Sequence, residues 1–238
     1  MKLITVAGPP SSGKTSILLQ LIDSLKEQNF SIGVVKFDCL TSFDHLRYKE
    51  RSVAVKTGLS GKVCPDHYFV SNIEDGVRWG KENGFDFLFT ESAGLCNRCS
   101  PHIYGIFSIC VIDNLSGINT PGKIGPMLKF ADTVVITKGD IVSQAEREVF
   151  GFHVRQANLS AKILHINGIT GQGISRLQKQ VLETADIDTV KDMKLRFTVP
   201  AAICSYCTGE VLIGEEYQMG MMKKMNFEVD EFSTDESL

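Results

Sequence analysis

The chain has 238 residues and a net charge of −3, with 43% hydrophobic and 22% charged residues. These values are ordinary for a globular protein and allow one α/β domain with a small appendix. The sequence has no basic stripe and no apolar run long enough to cross a bilayer, which argues against nucleic acid or a membrane as a partner. Its first apolar residues lead directly into a glycine-rich loop, without the longer apolar region of a signal peptide, so a cytoplasmic protein is expected.

Strands and helices alternate from the first residues to about residue 186. Apolar residues 3–7 predict a strand that ends at Gly8, and helical spacing of apolar residues from Ile17 to Leu25 predicts a helix. Glycines indicate a loop at 57–62. The remaining predicted strands are 31–37, 85–90, 104–112, 133–136 and 162–166, and the remaining predicted helices are 73–81, 125–130, 144–159 and 174–182. This alternation predicts an α/β fold with a mostly parallel sheet, helices on both faces, and binding groups at the carboxyl ends of the strands.

The pattern changes near Asp186, and residues 187–227 are predicted to form a small module that contains cysteines. A strand at 194–199 is broken by Pro200, a turn follows at 204–209, and a returning strand is expected at 211–213. A module of about forty residues holds little core of its own, so it must dock on the main domain, bind a metal or pair with another subunit. Residues 228–238 carry five acids and no base and are predicted to be a disordered tail.

A phosphate-binding loop is the strongest signal in the sequence. The residues Gly8-Pro9-Pro10-Ser11-Ser12-Gly13-Lys14-Thr15, followed by Ser16, match the pattern Gly-x-x-x-x-Gly-Lys-Thr. Small residues let backbone N–H groups wrap closely around phosphates, and the following helix directs its positive end at the same place. Lys14 is expected to neutralise the β- and γ-phosphates, and Thr15 to hold Mg²⁺ through its hydroxyl.

Acidic residues follow two of the predicted strands. Glu91 ends an apolar strand and precedes Ser92-Ala93-Gly94, whereas Asp38 ends the second strand and is followed by Asp44 and Arg47. We predict that Glu91 and Asp38, with Thr15, hold Mg²⁺, and that Asp38 or Asp44 orients the attacking water. With Lys14, these three acids are the predicted catalytic residues. The alternative is that they are solvated acids in loops.

A guanine-binding motif is predicted after the strand at 133–136. Asp140 of Thr137-Lys138-Gly139-Asp140 is able to accept hydrogen bonds from the N1–H and 2-amino groups of guanine, and the stem of Lys138 is able to cover the base. Asn167-Gly168 and the glycine-rich residues 170–173 follow the next strand and are expected to offer N–H groups to the guanine carbonyl. Adenine lacks the same donor pair, so the motif favours GTP, with ATP as the alternative.

The cysteines suggest a metal site. Cys96-x-x-Cys99 lies just after the Glu91 loop, and Cys204-x-x-Cys207 lies in the small module. Two such pairs are able to form a tetrathiolate zinc site or to hold an iron–sulfur cluster, within one subunit or between two. Further nitrogen and sulfur ligands that suit nickel or zinc are Cys64, His67 and His102. The alternative is that both pairs are tight turns with buried thiols.

Taken in order, these motifs resemble the nickel-insertion GTPases HypB and UreG of hydrogenase and urease maturation, over about residues 1–185. The resemblance implies a P-loop GTPase domain over 1–186, hydrolysis of GTP with Mg²⁺, and a homodimer. It also implies a nickel or zinc site near the switch loops, which are the loops at Asp38 and Glu91. It further implies a client apo-metalloenzyme or an accessory protein as partner.

Three departures from the family pattern are visible. Thr137 stands where the guanine motif usually has asparagine, and Cys64-Pro65-Asp66-His67 has one aspartate more than the Cys-Pro-His of urease accessory proteins. The module with Cys204 and Cys207 is not part of the family pattern.

Three functions remain open at this point. The first is a GTP-driven metallochaperone, in which hydrolysis is coupled to the binding or release of metal at switch-loop cysteines. The second is an iron–sulfur NTPase that activates or reduces a partner metalloenzyme. The third is a zinc-stabilised, nucleotide-dependent adaptor with negligible turnover.

Overall fold

A seven-stranded sheet organises the chain. The computed structural model describes residues 1–95, 98–197, 211–218 and 222–228. All the strand pairs are parallel, and the strand order is β3-β2-β4-β1-β5-β6-β7. The strands are β1 (Lys2–Ala7), β2 (Ile32–Asp38), β3 (Ala54–Leu59), β4 (Phe87–Ser92), β5 (Phe107–Asp113), β6 (Thr133–Thr137) and β7 (Lys162–His165). The predicted α/β architecture is confirmed, and the carboxyl ends of the parallel strands lie along one edge of the sheet.

Helices cover both faces of this sheet. They are α1 (Lys14–Lys26), α2 (Asp44–Glu50), α3 (Pro65–Glu82), α4 (Pro126–Lys129), α5 (Gln144–Ala157) and α6 (Ile174–Leu182). Alternate residues of one strand enter different core clusters: Ile4 packs with the apolar face of α1, and its neighbour Leu3 packs with that of α3. Burial on both faces explains why the central strands are continuous apolar runs.

Helix α2 was not predicted from the sequence, and two further elements differ from the prediction. The loop predicted at 57–62 is wrong over its first half, because Thr57 to Leu59 belong to β3 and pair with β2. Gly58 is required by close packing rather than by a turn, since a Cβ there would lie 2.6 Å from the Tyr68 hydroxyl. Helix α3 begins at Pro65, eight residues before the predicted start at Ile73. All of its residues from Pro65 to Ile73 are buried, which removes the amphipathic pattern that marks a helix in sequence.

The described part of the C-terminal region docks on the main domain. Leu195 bridges to Ile103, and Lys194 bridges to Leu212, as expected of an outgoing and a returning segment. Arg196 donates to both carboxylate oxygens of Asp132 at 2.8 Å. The predicted turn at 204–209 and all of the acidic tail after Glu228 lie outside the described residues. The division of the chain near residue 186 stays a prediction.

In the described parts of the chain, no helix has both the length and the apolar character needed to span a bilayer.

Candidate functional site

The phosphate loop joins β1 to α1 in a compact, glycine-dependent turn. Gly8 has a φ of +148°, and a Cβ on it would lie 2.0 Å from the carbonyl oxygen of Val111. Gly13 has a left-handed φ of +95° at the start of α1. Lys14 folds over the loop and donates from Nζ to the carbonyls of Gly8 and Pro9, both at 2.9 Å. Burial lowers the pKa of Lys14.

A cavity of about 660 Å³ opens beside this loop at the carboxyl edge of the sheet. The predicted nucleotide-binding residues that line it are Pro10, Ser11, Gly13, Lys14, Thr15, Ser16, Thr137, Lys138, Asp140, Asn167 and Gly168. The predicted acids Asp38, Asp44 and Glu91 line the same cavity. The structure therefore brings together the phosphate, acid and base motifs from five separate parts of the sequence.

Glu91 lies at the centre of a buried network next to the phosphate loop. Its Oε1 accepts a hydrogen bond from Thr15 Oγ1 at 2.7 Å, and its Oε2 accepts one from the Tyr48 hydroxyl at 2.7 Å. Both partners are buried. Burial and the neighbouring Glu91 carboxylate raise the pKa of Tyr48, so this phenol remains a hydrogen-bond donor. Glu91 is consequently fixed in orientation at both oxygens.

Lys36 lies among the three predicted acids. Its Nζ is 2.8 Å from Asp44, 3.1 Å from Glu91 and 3.6 Å from Asp38. Although burial opposes the charged form, the carboxylates of Glu91 and Asp44 raise the pKa of Lys36. Burial likewise opposes ionisation of Asp44, but the Lys36 ammonium keeps the pKa of Asp44 below its usual value.

The same oxygens fit a magnesium ion. Mg²⁺ prefers carboxylate and hydroxyl oxygens, and the ammonium of Lys36 is already a cation standing among them. Thr15, Asp38 and Glu91 are the residues that would hold the ion.

Two members of this network, Lys36 and Tyr48, are not among the residues predicted from the sequence. Lys36 is the lone charge inside the apolar part of β2 and lies two residues before Asp38, so the two side chains point to the same face of the sheet. That spacing is a signal that could have identified it. Tyr48 lies on the short helix α2 and gives no comparable signal.

The loop after β4 rests directly on the phosphate loop. Gly94 has a φ of +69°, and a Cβ on it would lie 1.7 Å from the carbonyl oxygen of Gly8. Leu95, the next residue, lines the nucleotide cavity. The backbone of the Glu91 loop and the backbone around the phosphates are thus in contact.

The base motif is tied to the phosphate loop by two side chains. Thr137 Oγ1 donates to the carbonyl of Ser12 at 2.7 Å, and Lys138 Nζ donates to the carbonyl of Ser11 at 2.8 Å. Asp140 is exposed at the cavity wall. Asn167 Oδ1 accepts from the backbone N–H of Ile169 at 2.8 Å, which shapes the second loop of the motif. The threonine that replaces the usual asparagine therefore still links the two loops.

Cys64, Asp66 and Cys99 form a candidate metal cluster. Their ligand atoms all lie within 4.8 Å of one another. Cys64 is half-buried at the start of α3, whereas Asp66 and Cys99 are buried. Two predicted ligands therefore meet, and Asp66 is an added ligand that sequence analysis placed beside Cys64 without assigning it a role.

The other predicted metal ligands have different positions. His102 is a correction: its Nδ1 lies 3.2 Å from Thr5 Oγ1 and its Nε2 lies 2.8 Å from the Met127 carbonyl, so both ring nitrogens have partners in the core. Burial lowers the pKa of His102 to about 4. His67 is buried on α3 but is not a member of the cluster that the described residues form. Cys96, Cys204 and Cys207 lie outside the described residues.

The parallel sheet, the glycine-rich loop before α1 and the acids beside it define a P-loop nucleoside-triphosphatase fold. More particularly, the chain belongs to the CobW/HypB/UreG family, since the model of that family's nucleotide-binding domain matches residues 2–165.

Similar proteins agree with this assignment. An uncharacterized protein of Methanocaldococcus jannaschii is 45% identical over 226 residues, which cover 95% of this chain and 97% of that protein. The urease accessory protein UreG of Aliarcobacter butzleri is 29% identical over 160 residues, or 63% of this chain and 81% of that protein.

Among solved structures, HypB from Helicobacter pylori in complex with nickel matches with a TM-score of 0.62 at 21% identity, covering 79% of this chain and 91% of that one. The hydrogenase maturation factor HypB from Archaeoglobus fulgidus matches with a TM-score of 0.61 at 19% identity, covering 76% and 89%. At these identities the likeness establishes the fold.

Proposed function

We propose that this chain hydrolyses GTP and couples hydrolysis to the binding or release of a metal ion at cysteines beside the nucleotide site. It would thereby assemble the metallocentre of a client apo-metalloenzyme. The observation that carries this proposal is the convergence of Cys64, Asp66 and Cys99 within 4.8 Å. Cys99 lies in the chain after β4, and Gly94 of the same part of the chain touches the phosphate loop.

The donor set suits a transferable metal. Two thiolates and one carboxylate are ligands that suit zinc, and the soft thiolates also suit nickel. Three protein ligands leave a position for exchange with a client, whereas structural zinc is usually held by four. Cys96, Cys204 and Cys207 remain predicted additional ligands from the sequence.

At the nucleotide site, the N–H groups of the phosphate loop and the Lys14 ammonium would bind the β- and γ-phosphates. Lys14 would stabilise the charge that develops on the transferred phosphate oxygens. Magnesium, when held by Thr15, Asp38 and Glu91, would neutralise phosphate charge. Asp44, half-buried beside Lys36 and 3.5 Å from Arg47, is the candidate that orients the attacking water.

The base motif supports GTP over ATP. Asp140 lines the cavity and presents two acceptor oxygens, which match the N1–H and 2-amino donors of guanine. The variant Asp140→Ala is expected to lose the preference for GTP over ATP while keeping binding to the phosphates. Competition between the two nucleotides for a fluorescent GTP analogue measures this preference, and an unchanged preference would contradict the assignment.

Exposed apolar side chains near the cavity support a homodimer. Phe43 is 71% exposed and Leu40 is 61% exposed in the segment after β2, and Leu95 is 53% exposed at the cavity wall. Large exposed apolar groups around a nucleotide site favour association when the nucleotide orders the loops that carry them. We propose that GTP promotes this dimer.

The first test is the metal and acid-labile sulfide content of protein purified without oxygen. Zinc or nickel without sulfide is expected in the wild type, with loss of the metal in Cys64→Ser and in Cys99→Ser. Cys39→Ser is the matched control, since Cys39 Sγ lies against the Gly61 carbonyl and is not a member of the cluster. Iron with sulfide would favour the iron–sulfur alternative. Absence of metal after reconstitution would exclude the proposed function and both alternatives, because each of the three requires a bound metal.

A further inference from the structure

A buried lysine lies among the predicted magnesium ligands of the nucleotide site. Lys36 lies in the middle of β2 and is 3% exposed. Its ammonium contacts Asp44 at 2.8 Å and Glu91 at 3.1 Å, and it lies 3.6 Å from Asp38. A buried ammonium is strongly disfavoured unless carboxylates of this kind surround it.

Lys36 and Thr15 converge on the same oxygen atom. Oε1 of Glu91 accepts the Thr15 hydroxyl at 2.7 Å and is also the Glu91 oxygen that faces the Lys36 ammonium, at 3.1 Å. The ammonium therefore lies beside two of the three predicted magnesium ligands, Glu91 and Asp38, and shares an oxygen of Glu91 with the third, Thr15. Two other cations lie nearby, namely Lys14, whose charge interacts with Glu91, and Arg47 at 3.5 Å from Asp44.

We propose that Lys36 is a built-in cation that occupies the magnesium position of the nucleotide-free protein, so that a divalent ion enters only together with a nucleotide. Three carboxylates and one ammonium leave the cluster with two negative charges, but the ammonium repels a second cation at close range. A triphosphate brings enough negative charge to offset that repulsion. This inference rests on the proposed nucleotide site and not on the cysteine cluster.

One consequence concerns the metal that the protein handles. A protein that carries nickel or zinc has to keep those ions out of its own acidic nucleotide site. Lys36 would do so by charge, and it would leave the softer cluster at Cys64, Asp66 and Cys99 as the site for the carried metal.

The experiment is the thermal unfolding of nucleotide-free, full-length protein in Mg²⁺ and in KCl of equal ionic strength. Magnesium is the probe because thiolates bind it poorly. We expect Mg²⁺ to leave the Tm of the wild type and of Lys36→Arg unchanged and to raise the Tm of Lys36→Met. Lys162→Met is the matched control, since it removes the charge of an exposed lysine on β7 and should behave as the wild type.

Calorimetric titration measures the affinity of each variant for Mg²⁺, so that the variants can be compared as a fold-change in affinity. Lys36→Met should bind the ion at least about tenfold more tightly than the wild type, because a repulsion of only about 1.4 kcal/mol already accounts for that factor. The proposal is overturned if wild type and Lys36→Met bind Mg²⁺ equally, or if Mg²⁺ stabilises neither.

A second variant covers the case in which Lys36→Met does not fold. Lys36→Met/Asp44→Asn also removes one of the carboxylates that Lys36 neutralises, and it keeps Thr15, Asp38 and Glu91. It should still gain Mg²⁺ affinity over the wild type, and equal affinity would overturn the proposal. Neither measurement involves GTP turnover or a thiol-bound metal, so a failure here leaves the proposed function intact, and loss of that function would be seen in its own assays.

Discussion

At the scale of single residues, the site depends on a buried carboxylate that the fold holds by hydrogen bonds. Glu91 is held at one oxygen by Thr15 and at the other by Tyr48, each at 2.7 Å. A buried carboxylate that loses such a partner keeps its desolvation penalty, so small substitutions around it have large effects.

The variant Tyr48→Phe removes one hydrogen bond to Glu91 without changing the shape of the core. We expect a loss of about 2 kcal/mol in the free energy of unfolding, as is typical of a hydrogen bond to a charged group. Urea denaturation measures this change. Tyr104→Phe, at a side chain that is 58% exposed, is the control and should be close to neutral. Equal effects of the two variants would contradict the role given to Tyr48.

His102 predicts a pH dependence of stability. Burial lowers the pKa of folded His102 to about 4 from 6.5. The unfolded chain therefore binds the proton more readily, and the contribution of the neutral histidine is complete above pH 6.5 and is lost as the pH falls to about 4. The loss should approach about 3 kcal/mol. The pH profiles of unfolding of the wild type and His102→Gln should differ in this window, and parallel profiles would argue against a buried neutral histidine.

Residues of the nucleotide site were predictable because each motif is contiguous in the sequence and follows a recognisable strand. Lys14, Thr15, Glu91 and Asp140 are predicted in this way, and all four line one cavity in the structure. Asp66 was noted only as an insertion, and Tyr48 was not found at all, because their relation to the site exists only after α2 and α3 pack against the sheet. Both ring nitrogens of His102 are satisfied by β1 and α4, which residue type alone does not reveal.

At the scale of elements, the segment that follows β4 touches the phosphate loop. A Cβ on Gly94 would lie 1.7 Å from the carbonyl oxygen of Gly8, and Cys99, further along the chain, is one of the three candidate metal ligands. This contact is where the proposed coupling between nucleotide and metal would begin.

The variant Gly94→Ala tests this contact. Its Cβ would lie 1.7 Å from the Gly8 carbonyl oxygen, so one of the two loops has to move. We expect affinity for GTP to fall at least about tenfold, or about 1.4 kcal/mol, in titrations with a fluorescent GTP analogue. Gly84→Ala is a close control, because Gly84 has nearly the same φ, +66° against +69°, with no atom within 4 Å of a Cβ. Equal losses in both variants would mean that backbone strain, and not the contact, is responsible.

The strand and helix pattern could be predicted for most of the sheet, because buried parallel strands are apolar runs. Strand β3 and the first half of α3 were missed for one shared reason. Gly58 and the buried start of α3 pack against each other and against Met225, and that packing overrides the local signals of glycine and periodicity.

At the scale of the whole molecule, residues 222–228 pack along α3, the helix whose start carries two of the candidate metal ligands. Asn72 on α3 donates to the Lys223 carbonyl at 2.9 Å and accepts from the Met225 N–H at 2.7 Å. Met225 is buried, and Phe227 packs against Trp79. These residues thus stabilise α3, the helix that contains Asp66 and directly follows Cys64.

The variant Met225→Ala should cost about 2–4 kcal/mol in the free energy of unfolding, because it leaves a cavity against α3. Met222→Ala is the control, since Met222 is 41% exposed and the same change there removes little packing. Urea denaturation of both variants measures the difference. A loss below about 1 kcal/mol in Met225→Ala would contradict the docked position of this segment.

The proposed function requires that nucleotide state and metal binding are coupled. The most direct measurement is the affinity for Ni²⁺ and Zn²⁺ of protein without nucleotide, with GDP, and with a non-hydrolysable GTP analogue, with Cys64→Ser/Cys99→Ser as the control for the site. We predict that the affinity changes at least about tenfold between nucleotide states, a coupling of about 1.4 kcal/mol, and that the double variant loses this binding. Equal affinity in all three states would contradict the account and leave a nucleotide-binding protein with an independent metal site.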